Sequence, residues 1–483
     1  MYLGLDIGTS GVKALLIDDE QSIIGSTHAR LTVSRPFTGW SEQDPQSWIN
    51  ACDEAIEALR SLFPRHFKAL KSISLSGQMH GATLLNAKDQ LLRPCMLWND
   101  TRSFKEAAHL DAQPQFRALS GNIVFPGFTA PKLAWVAQHE PKIFEQIARV
   151  LLPKDYVRLW LTGEYVSDMS DAAGTSWLNV EQRCWSDELL SLSGMRLDQM
   201  PRLVEGSAIS GRLRAEHIAR WQLAGTPIVG GGAGDNAASA CGMGVIHEGR
   251  AFLSLGTSGV LFAATDGYKP NAASAVHAFC HAIPNTWHQM GVILSATDAL
   301  NWYAGITGKT AAQLTQQLPA YPEGPSDVRF LPYLSGERTP HNDARIRGAF
   351  AGLAHESNQA TLTQAVLEGV SFAIRDNLES LREAGTELRS IVAVGGGTAS
   401  QFWLQTLANT LNLTIELPRD GDFGAAFGAA RLAQMATINS DSTELLQPPV
   451  IERIFEPDES TAAAYEDAYQ HYQSLYPALR SLA

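Results

Sequence analysis

The chain has 483 residues, a formal net charge of -13, and apolar and charged shares of 45% and 18%, the composition of a soluble globular protein. Its length exceeds what one hydrophobic core usually serves, so more than one domain is expected. The acidic balance argues against nucleic acid or an anionic membrane as the main partner. A phosphate ligand remains compatible with it, because backbone N–H groups, helix N-termini and bound metal ions hold phosphate without a basic surface.

The cysteine content points to a reducing compartment. Five cysteines with no CxxC spacing argue against both a disulfide framework and a zinc site. No secretory leader and no apolar run long enough to span a membrane is found. A cytoplasmic protein without a membrane partner is therefore expected. The cysteines are Cys52, Cys95, Cys184, Cys241 and Cys280.

A β-hairpin is predicted at the start of the chain. Apolar runs at 2–7 and 12–17 flank Gly8-Thr9-Ser10-Gly11, and a third run at 22–33 extends the pair to an antiparallel meander. Glycine allows close approach of the backbone to phosphate, and hydroxyls can donate to its oxygens, so the turn is a candidate phosphate site. Asp6 is unexpected in the first strand, since strand interiors disfavour aspartate.

A helix and two polar loops follow in the N-terminal half. Apolar residues at three- and four-residue spacing predict a helix over 48–63. The loop Ser76–Gly81 places Gln78, Met79 and His80 between two predicted strands, where a structural histidine and a ligand contact are equally plausible. The next loop carries Trp98 among amide and carboxylate groups. That combination suits a polyhydroxy ligand as well as ordinary surface pairing.

The stretch "PIVGGGAGDNAASACG" combines a strand, four glycines and a helix start. Asp235 stands where a helix N-cap would stand, and a capping role alone would explain it. So many glycines, however, suggest that something approaches the backbone closely. The helix N-terminus is expected to keep Asp235 ionised. A positioned, ionised carboxylate is what phosphoryl transfer needs to accept the proton of an attacking hydroxyl.

The chain repeats its opening motif near its middle. Gly256-Thr257-Ser258-Gly259-Val260 matches Gly8-Thr9-Ser10-Gly11-Val12 at an offset of 248 residues, and both copies lie between apolar runs. A five-letter match can arise by chance. The alternative is two domains of related topology, 1–244 and 245–483, each presenting one turn to a shared cleft. Ser254 replaces Asp6 in the second copy, so only the first carries a carboxylate.

The C-terminal half continues with helices and a second glycine loop. The loop Gly395-Gly396-Gly397 between a strand and a helix could pack against a planar ring or a phosphate, or simply form a tight turn, with Thr398 and Ser400 as capping residues. Helices are predicted over 358–382, over a small-residue stretch near 423–436 that should pack closely on a neighbour, and over 460–482. Either half of the chain, including the N-terminal domain, could receive this last helix.

With these motifs in place, the whole chain resembles the FGGY family of carbohydrate kinases. The resemblance implies an α/β fold of two actin-like (ribonuclease H-like) domains, with ATP and a sugar bound in the central cleft. It also implies transfer of the γ-phosphate to the terminal hydroxyl of D-xylulose. The motifs that carry it are "GLDIGTSGVKALLID", "WSEQDPQSWI", "SGQMHGATLL", "LWNDTR", "GFTAPKLAWV", "LLPKDYVRLWLTGEYVSDMSDAAGT", "GGAGDNAASA", "LSLGTSGV", "FLPYLSGERTPHND" and "VGGGTASQFWLQTLANTL".

The resemblance also implies roles for individual residues. Asp235 matches the catalytic base, and Asp6 matches the carboxylate near Mg²⁺ and the transferring phosphate, as a metal ligand directly or through water. Substrate contacts are expected from Met79, His80, Gln78, Trp98, Asn236 and Asp235. Nucleotide contacts are expected from Gly8, Thr9, Ser10, Lys13, Gly256, Thr257, Ser258, Gly396, Gly397 and Thr398.

Two other functions remain open from the sequence. A kinase of the same family could act on another ketopentose or polyol with the same fold and ATP chemistry. A protein of a different class, an ATP-gated binding or regulatory protein, could use the same actin-like fold, because fold does not fix function. The presence of both Asp6 and Asp235 favours an enzyme. A homodimer is a candidate assembly.

Overall fold

Two mixed seven-stranded sheets organise the chain in the computed structural model, which describes residues 1–419, 423–438 and 443–482. The first, here the N-terminal sheet, has six strands in one path and a short seventh, Ala233–Gly234, paired with Ser72–Gly77. In order across the sheet, the six are Ile209–Arg212, Ile228–Gly230, Ser72–Gly77, Tyr2–Ile7, Gly11–Ile17 and Ile23–Arg30.

The opening meander is confirmed. Tyr2–Ile7 pairs antiparallel with Gly11–Ile17, which pairs antiparallel with Ile23–Arg30. On its other edge, Tyr2–Ile7 runs parallel to Ser72–Gly77. The first strand is buried on both faces because helices cover both sides of the sheet, and this explains its nearly continuous apolar sequence.

The second sheet, here the C-terminal sheet, repeats this order. Its first strand, Arg250–Leu255, pairs antiparallel with Gly259–Thr265 on one edge and parallel with Ser390–Val394 on the other. The repeated pentapeptide therefore marks a repeated topology rather than a chance match. The strands in order are His277–Cys280, Trp287–Ile293, Gly259–Thr265, Arg250–Leu255, Ser390–Val394, Thr414–Pro418 and Ile451–Phe455.

The predicted helices are present, with ends set by local capping. Asp44 accepts a hydrogen bond from the backbone N–H of Gln46, so the first helix begins at Pro45, before the apolar repeat does. Asn358 caps Gln359–Glu383 in the same way. In the described part of the chain, no helix is long and apolar enough to cross a membrane. The longer helices are Pro45–Leu62, Phe104–Asp111, Pro114–Ser120, Thr129–His139, Pro153–Thr162, Ala215–Trp221, Asp235–Met243, Thr297–Thr307, Gln359–Glu383, Gln401–Leu411, Ala425–Ile438 and Ala462–Arg480.

One C-terminal helix crosses to the N-terminal sheet, and it is not the last one. Ala425–Ile438 packs on the strands Tyr2–Ile7 and Ser72–Gly77 and on the helix Asp235–Met243. The final helix, Ala462–Arg480, instead places three tyrosines in the core of the C-terminal sheet. Of the two halves that the sequence left open for this helix, it therefore packs on the C-terminal one and not on the N-terminal domain. The small residues of Ala425–Ile438 allow this close crossing, as the sequence predicted.

Gly428 lies at the tightest point of this crossing. A Cβ atom there would lie 1.7 Å from the carbonyl oxygen of Ala238. We expect Gly428→Ala to destabilise the protein by about 1–3 kcal/mol, because two helix backbones must separate. Gly305→Ala is the matched control, since a Cβ at that helical glycine meets nothing within 4 Å, and a gain of up to about 1 kcal/mol is expected. Thermal unfolding measures both, and equal midpoints would contradict the close crossing.

Candidate active site

The glycine loop before Asp235 is shaped by the protein's own backbone. A Cβ atom at Gly231 would lie 2.1 Å from the carbonyl oxygen of Glu205, and one at Gly232 would lie 2.1 Å from that of Leu75. Gly232 also has a φ of +73°, a left-handed conformation that favours glycine. The predicted close approach to the backbone is therefore present at these two glycines, and the groups that approach are the protein's own carbonyl oxygens.

Asp235 is the first residue of its helix rather than the cap. Gly234 occupies the N-cap position, so the predicted cap is displaced by one residue. The carboxylate of Asp235 accepts hydrogen bonds from the backbone N–H and the side-chain amide of Asn236, at 2.7 and 3.0 Å. These bonds orient the carboxylate beside the helix start.

Burial and a second carboxylate raise the pKa of Asp235 to about 6, with the two hydrogen bonds from Asn236 opposing the shift. The sequence predicts an ionised carboxylate, which this pKa allows at neutral pH, but it does not show the burial that raises the pKa. The neighbouring charge is that of Asp6. A carboxylate with a pKa near 6 is ionised at neutral pH yet basic enough to take a proton.

Strand register explains why Asp6 and Asp235 are close. Asp6 pairs with Ser76 on one edge of Ser72–Gly77, and Gly234 pairs with Gly77 on the opposite edge. Neighbouring strands lie about 4.8 Å apart, so the two acidic residues flank the end of one central strand. This meeting point could not be read from a sequence separation of 229 residues.

The Met79-His80 loop lies beside the start of the Asp235 helix. A Cβ at Gly234 would lie 2.9 Å from the sulfur of Met79, so the Met79 side chain packs directly on the backbone of Gly234. The His80 ring stacks on Phe128, with centroids 4.4 Å apart, and its Nδ1 lies 2.6 Å from the carbonyl oxygen of Gly174. Burial lowers the pKa of His80 to about 3. The ring is therefore neutral, and since a carbonyl only accepts, Nδ1 carries the proton and Nε2 is the acceptor.

Gln78 and Trp98 are tied to the first glycine turn. The hydroxyl of Thr9 donates to Oε1 of Gln78 at 2.9 Å and accepts from the indole N–H of Trp98 at 3.0 Å. The amide of Gln78 donates in turn to Gln43 at 2.9 Å. Thr9 thus connects the turn to the polar loops, whereas Ser10 is exposed at its tip.

Gln43 was not assigned from the sequence. Its amide donates to the carbonyl oxygen of Thr9 at 2.8 Å, and its Oε1 accepts from the indole of Trp48 at 2.9 Å. The side chain is buried and links the first turn to the first helix. Its motif, "WSEQDPQSWI", was visible, but no local pattern distinguishes this glutamine from a surface residue.

The second glycine loop borders two cavities. One, of about 450 Å³, opens between the Asp235 helix and the C-terminal sheet and is lined by residues that include Asn236, Ser254, Gly395 and Thr398. The other, of about 430 Å³, has Gly396 and Gly397 in its lining. Thr257 and Ser258 are exposed, and Lys13 is half-buried opposite Asp6 in the first hairpin. The loop Gly395–Gly397 therefore separates the two cavities.

The second glycine loop forms a tight turn before its helix, and one of its two predicted capping residues caps that helix. Gly395 has a φ of +98°, and a Cβ there would lie 2.7 Å from the carbonyl oxygen of Leu255, whereas a Cβ at Gly396 would point into open space. Ser400 caps the following helix as predicted. Thr398 does not, because its hydroxyl donates to the carbonyl oxygen of Gly395 at 2.8 Å.

A buried charge cluster, here Lys154, Asp155, Arg158, Asp168 and Asp171, supports the glycine loop from behind. The guanidinium of Arg158 donates to the carbonyl oxygens of Gly230 and Gly231, both at 2.5 Å. Ser170 donates to Asp168 and accepts from the backbone N–H of Gly234 at 3.1 Å. The motif containing these residues was recognised only as a resemblance, since the sequence does not show that its charges are buried together.

The described residues contain no group of three or more His, Cys, Asp or Glu side chains arranged to hold a metal ion. Any cation at this site would therefore rest on few protein ligands. That arrangement suits Mg²⁺, which keeps several waters and is commonly bound by one or two carboxylates together with substrate phosphates.

The repeated sheet topology and the site between the two sheets define the class of protein: a two-domain α/β protein of the actin-like, ribonuclease H-like fold. Two family patterns match the sequence, the N-terminal domain of the FGGY carbohydrate kinases over residues 1–242 and the C-terminal domain over residues 251–437. The chain belongs to the FGGY family of carbohydrate kinases. It is an enzyme, a phosphotransferase with an alcohol group as acceptor.

Relatives of known name agree along the full length. A xylulose kinase of Escherichia coli (strain K12) is 47% identical, and the alignment covers 100% of each chain. A crystal structure from Brucella ovis, named a xyloylose kinase, is 62% identical with a TM-score of 0.99 and also covers 100% of each chain. A gluconate kinase from Lactobacillus acidophilus is 26% identical with a TM-score of 0.91, covering 99% of this chain and 97% of its own.

Proposed function

We propose that this enzyme transfers the γ-phosphate of ATP to D-xylulose, giving D-xylulose 5-phosphate, with Asp235 as the general base and Mg²⁺-ATP in the cleft between the two domains. The observation that carries the proposal is the pair Asp235 and Asp6. Asp235 has a pKa of about 6, Asp6 contributes to that value, and Met79, His80 and a cavity lie alongside. Full-length similarity to xylulose kinases supports the choice of sugar.

The sugar side of the site is assigned to the Met79-His80 loop and the Asp235 helix. The neutral His80 ring can accept a hydrogen bond from a sugar hydroxyl through Nε2, while Met79 supplies an apolar wall. Asn236 follows the base and lines the larger of the two cavities. Gln78 and Trp98 act through the Thr9 network, and Trp98, at 46% exposed, has ring surface left for a ligand.

The nucleotide side is assigned to the glycine turns and the second glycine loop. Both turns suit the phosphates of the nucleotide. The first turn contains Gly8, Thr9 and Ser10, with Lys13 close after it, and the second contains Gly256, Thr257 and Ser258. The smaller cavity, with Gly396 and Gly397 in its wall, suits a planar base. Thr398 lines the larger cavity and follows directly after the two glycines that line the smaller one.

A divalent cation fits beside Asp6. After burial, the charge of Asp6 is the second cause that raises the pKa of Asp235, so the two carboxylates lie close together, and a divalent cation is attracted to such a pair. Bound Mg²⁺ would neutralise negative charge on the phosphate oxygens during the transfer. Asp6 is the residue that would hold it, directly or through water.

The chain's own residues would then do the following. Asp235 accepts the proton of the terminal hydroxyl as that oxygen attacks phosphorus. The Met79-His80 loop orients the sugar, and the glycine turns hold the phosphates in line with it, because a loose phosphoryl transition state depends chiefly on positioning and electrostatics. Closure of the two domains would keep water from competing with the sugar.

The pH dependence of turnover tests the assigned base. Asp235 can accept a proton only when ionised, so kcat/KM should fall as pH drops through about 6, roughly tenfold per pH unit below it. Burial is the main cause of the raised pKa and the charge of Asp6 is the second, so in Asp6→Asn the remaining activity should keep its plateau to a somewhat lower pH. Steady-state rates between pH 4.5 and 8.5 give the pH profiles of the wild type and of Asp6→Asn. A wild-type profile that stays flat to pH 5 would contradict the assignment.

A second candidate function is a kinase for another ketopentose or polyol. The gluconate kinase with a TM-score of 0.91 supports it, because the same fold serves a different acceptor there. ADP release with D-xylulose, D-ribulose, L-ribulose, gluconate and glycerol separates the candidates. Preference for D-xylulose supports the proposal, another preferred acceptor replaces the substrate, and no turnover on any acceptor would favour an ATP-gated binding role.

We propose domain limits of 1–244 and 245–483, with the helix Ala425–Ile438 packed on the first domain's sheet. A homodimer and a cytoplasmic location stay predictions. Sedimentation of the purified protein tests the first, and cell fractionation tests the second.

A further inference from the structure

Lys132 is a buried lysine without a carboxylate partner. It lies on the helix Thr129–His139, its side chain is fully buried, and no ion pair joins it to an acidic residue in the described part of the chain. Lys154, equally buried, lies within 3.0 Å of three aspartates. An unpaired buried ammonium is costly, so a protein keeps one only for a gain made elsewhere.

The ammonium of Lys132 donates a hydrogen bond to one backbone carbonyl group. Its Nζ donates to the carbonyl oxygen of His80 at 2.8 Å, and the hydroxyl of Thr129, three residues earlier on the same helix, donates to that oxygen at 3.2 Å. Two donors from one helix therefore hold one peptide group. Burial lowers the pKa of Lys132 to about 7, and the amine keeps its N–H donors in either protonation state.

The peptide held in this way has an unfavourable conformation. His80 has a φ of +68°, in the left-handed region, which is unfavourable for a residue with a side chain and persists only where the surroundings enforce it. This conformation turns the imidazole onto Phe128 and toward the carbonyl oxygen of Gly174, leaving Nε2 as the acceptor. The strain thus has a direct effect on where His80 presents its ring.

We propose that Lys132 is a positioning residue for substrate: it holds the left-handed peptide of His80 and so fixes the imidazole that contacts the sugar. This inference rests on the proposed role of His80. Lys132 itself is assigned no contact with the sugar. Its contribution is made through the His80 carbonyl, which Thr129 shares.

Lys132→Met separates this role from a structural one. Methionine is similar in length, apolar and adaptable in a buried site, so removing the unpaired charge should leave the thermal midpoint unchanged or higher. The KM for the sugar should rise about tenfold or more, because His80 loses its main backbone restraint. The KM for ATP should stay within twofold. A lysine that only stabilised the fold would give the opposite pattern, a lower midpoint with an unchanged sugar KM.

Thr129→Val removes the second donor without changing a charge. The sugar KM should rise again, by a smaller factor, with an unchanged ATP KM. Thr83→Val is the matched control: Thr83 is also buried, and its hydroxyl bonds neither His80 nor Lys132. Its sugar KM should equal that of the wild type. Unchanged sugar KM in Lys132→Met overturns the inference, whatever the result for Thr129→Val.

Failure of the inference is distinguishable from failure of the proposed function. Wild-type protein and His80→Ala are measured on D-xylulose in the same series. Wild-type turnover with a raised KM in His80→Ala upholds the role of His80, and a normal KM in Lys132→Met then overturns the inference alone. Absence of wild-type turnover on D-xylulose, or an unchanged KM in His80→Ala, overturns the inference together with its premise.

Discussion

Asp235→Asn and Asp235→Ala are expected to lower kcat by about 10²–10⁴-fold while leaving the affinity for D-xylulose within a few-fold of wild type. Either change removes the only group assigned to accept the hydroxyl proton, whereas sugar contacts through Met79 and His80 persist. The asparagine variant keeps the shape of the side chain. Steady-state kinetics and calorimetric sugar binding give the two quantities.

The stability of these variants adds an independent check. The folded-state pKa of Asp235 is raised to about 6, so the folded protein binds more protons than the unfolded chain between roughly pH 4 and 6. Stability therefore falls as pH rises through that interval, and ionised Asp235 lowers stability at neutral pH. Asp235→Asn should consequently be at least as stable as wild type at pH 7.5, with its loss confined to turnover.

Asp376 provides a matched control for the raised pKa. Burial raises its pKa to about 6 as well, but its carboxylate accepts from Tyr469 at 2.6 Å in the core of the C-terminal domain. Asp376→Asn should retain most of the wild-type kcat. Comparable losses of kcat in Asp376→Asn and Asp235→Asn, or near wild-type turnover in the latter, would remove Asp235 as the base.

Lys154→Met is expected to destabilise the protein by about 3–5 kcal/mol, because breaking a buried ion pair leaves uncompensated charge. Lys154 lies 2.7 Å from Asp155, 2.7 Å from Asp168 and 3.0 Å from Asp171. Arg158, the other cation, is 3.8 Å from Asp155. Burial raises the pKa of Asp171 well above the usual value for an aspartate, so this carboxyl group takes up a proton more readily than an exposed one.

Lys132→Met is the natural comparison for this prediction. Both variants exchange a fully buried lysine for methionine, yet only Lys154 has acidic partners. Urea or thermal unfolding should show a large loss for Lys154→Met and none for Lys132→Met. Adding Asp155→Asn to Lys154→Met should recover part of the loss. Equal losses in the two single variants would show that carboxylate pairing does not determine their stability.

The sequence predicted the fold through its repetition. The shared pentapeptide implied two sheets with the same strand order, and apolar periodicity located the helices to within a few residues. Asp6 was singled out because aspartate is unusual inside a strand, Asp235 because many glycines precede it at a helix start, and the Met79-His80 loop because polar residues lie there between two predicted strands. The sheet register brings Asp6 and Asp235 together at the end of one central strand, which the local pattern around each residue does not show.

What sequence reasoning missed depends on contacts between distant segments. The roles of Gln43 and Lys132 follow from the carbonyl groups they reach, those of Thr9 and His80, and neither residue stands out in its own motif. The glycines before Asp235 indicated a close approach to the backbone, but the sequence does not show that the approaching groups are the carbonyl oxygens of Glu205 and Leu75. The pKa of Asp235 likewise depends on burial and on Asp6, which outweigh the local helix start.

The crossing of Ala425–Ile438 constrains the order in which the chain can fold. Tyr2, Leu15 and Ile17 lie under this helix in one small apolar cluster, so that face of the first sheet stays uncovered during synthesis until the ribosome has made residue 438. A fragment ending at residue 244 would expose the same apolar strands and tend to aggregate. Native pairing over more than 400 residues of sequence also favours slow folding. The N-terminal sheet is thus completed by a helix from the C-terminal half of the chain, although each half has its own sheet.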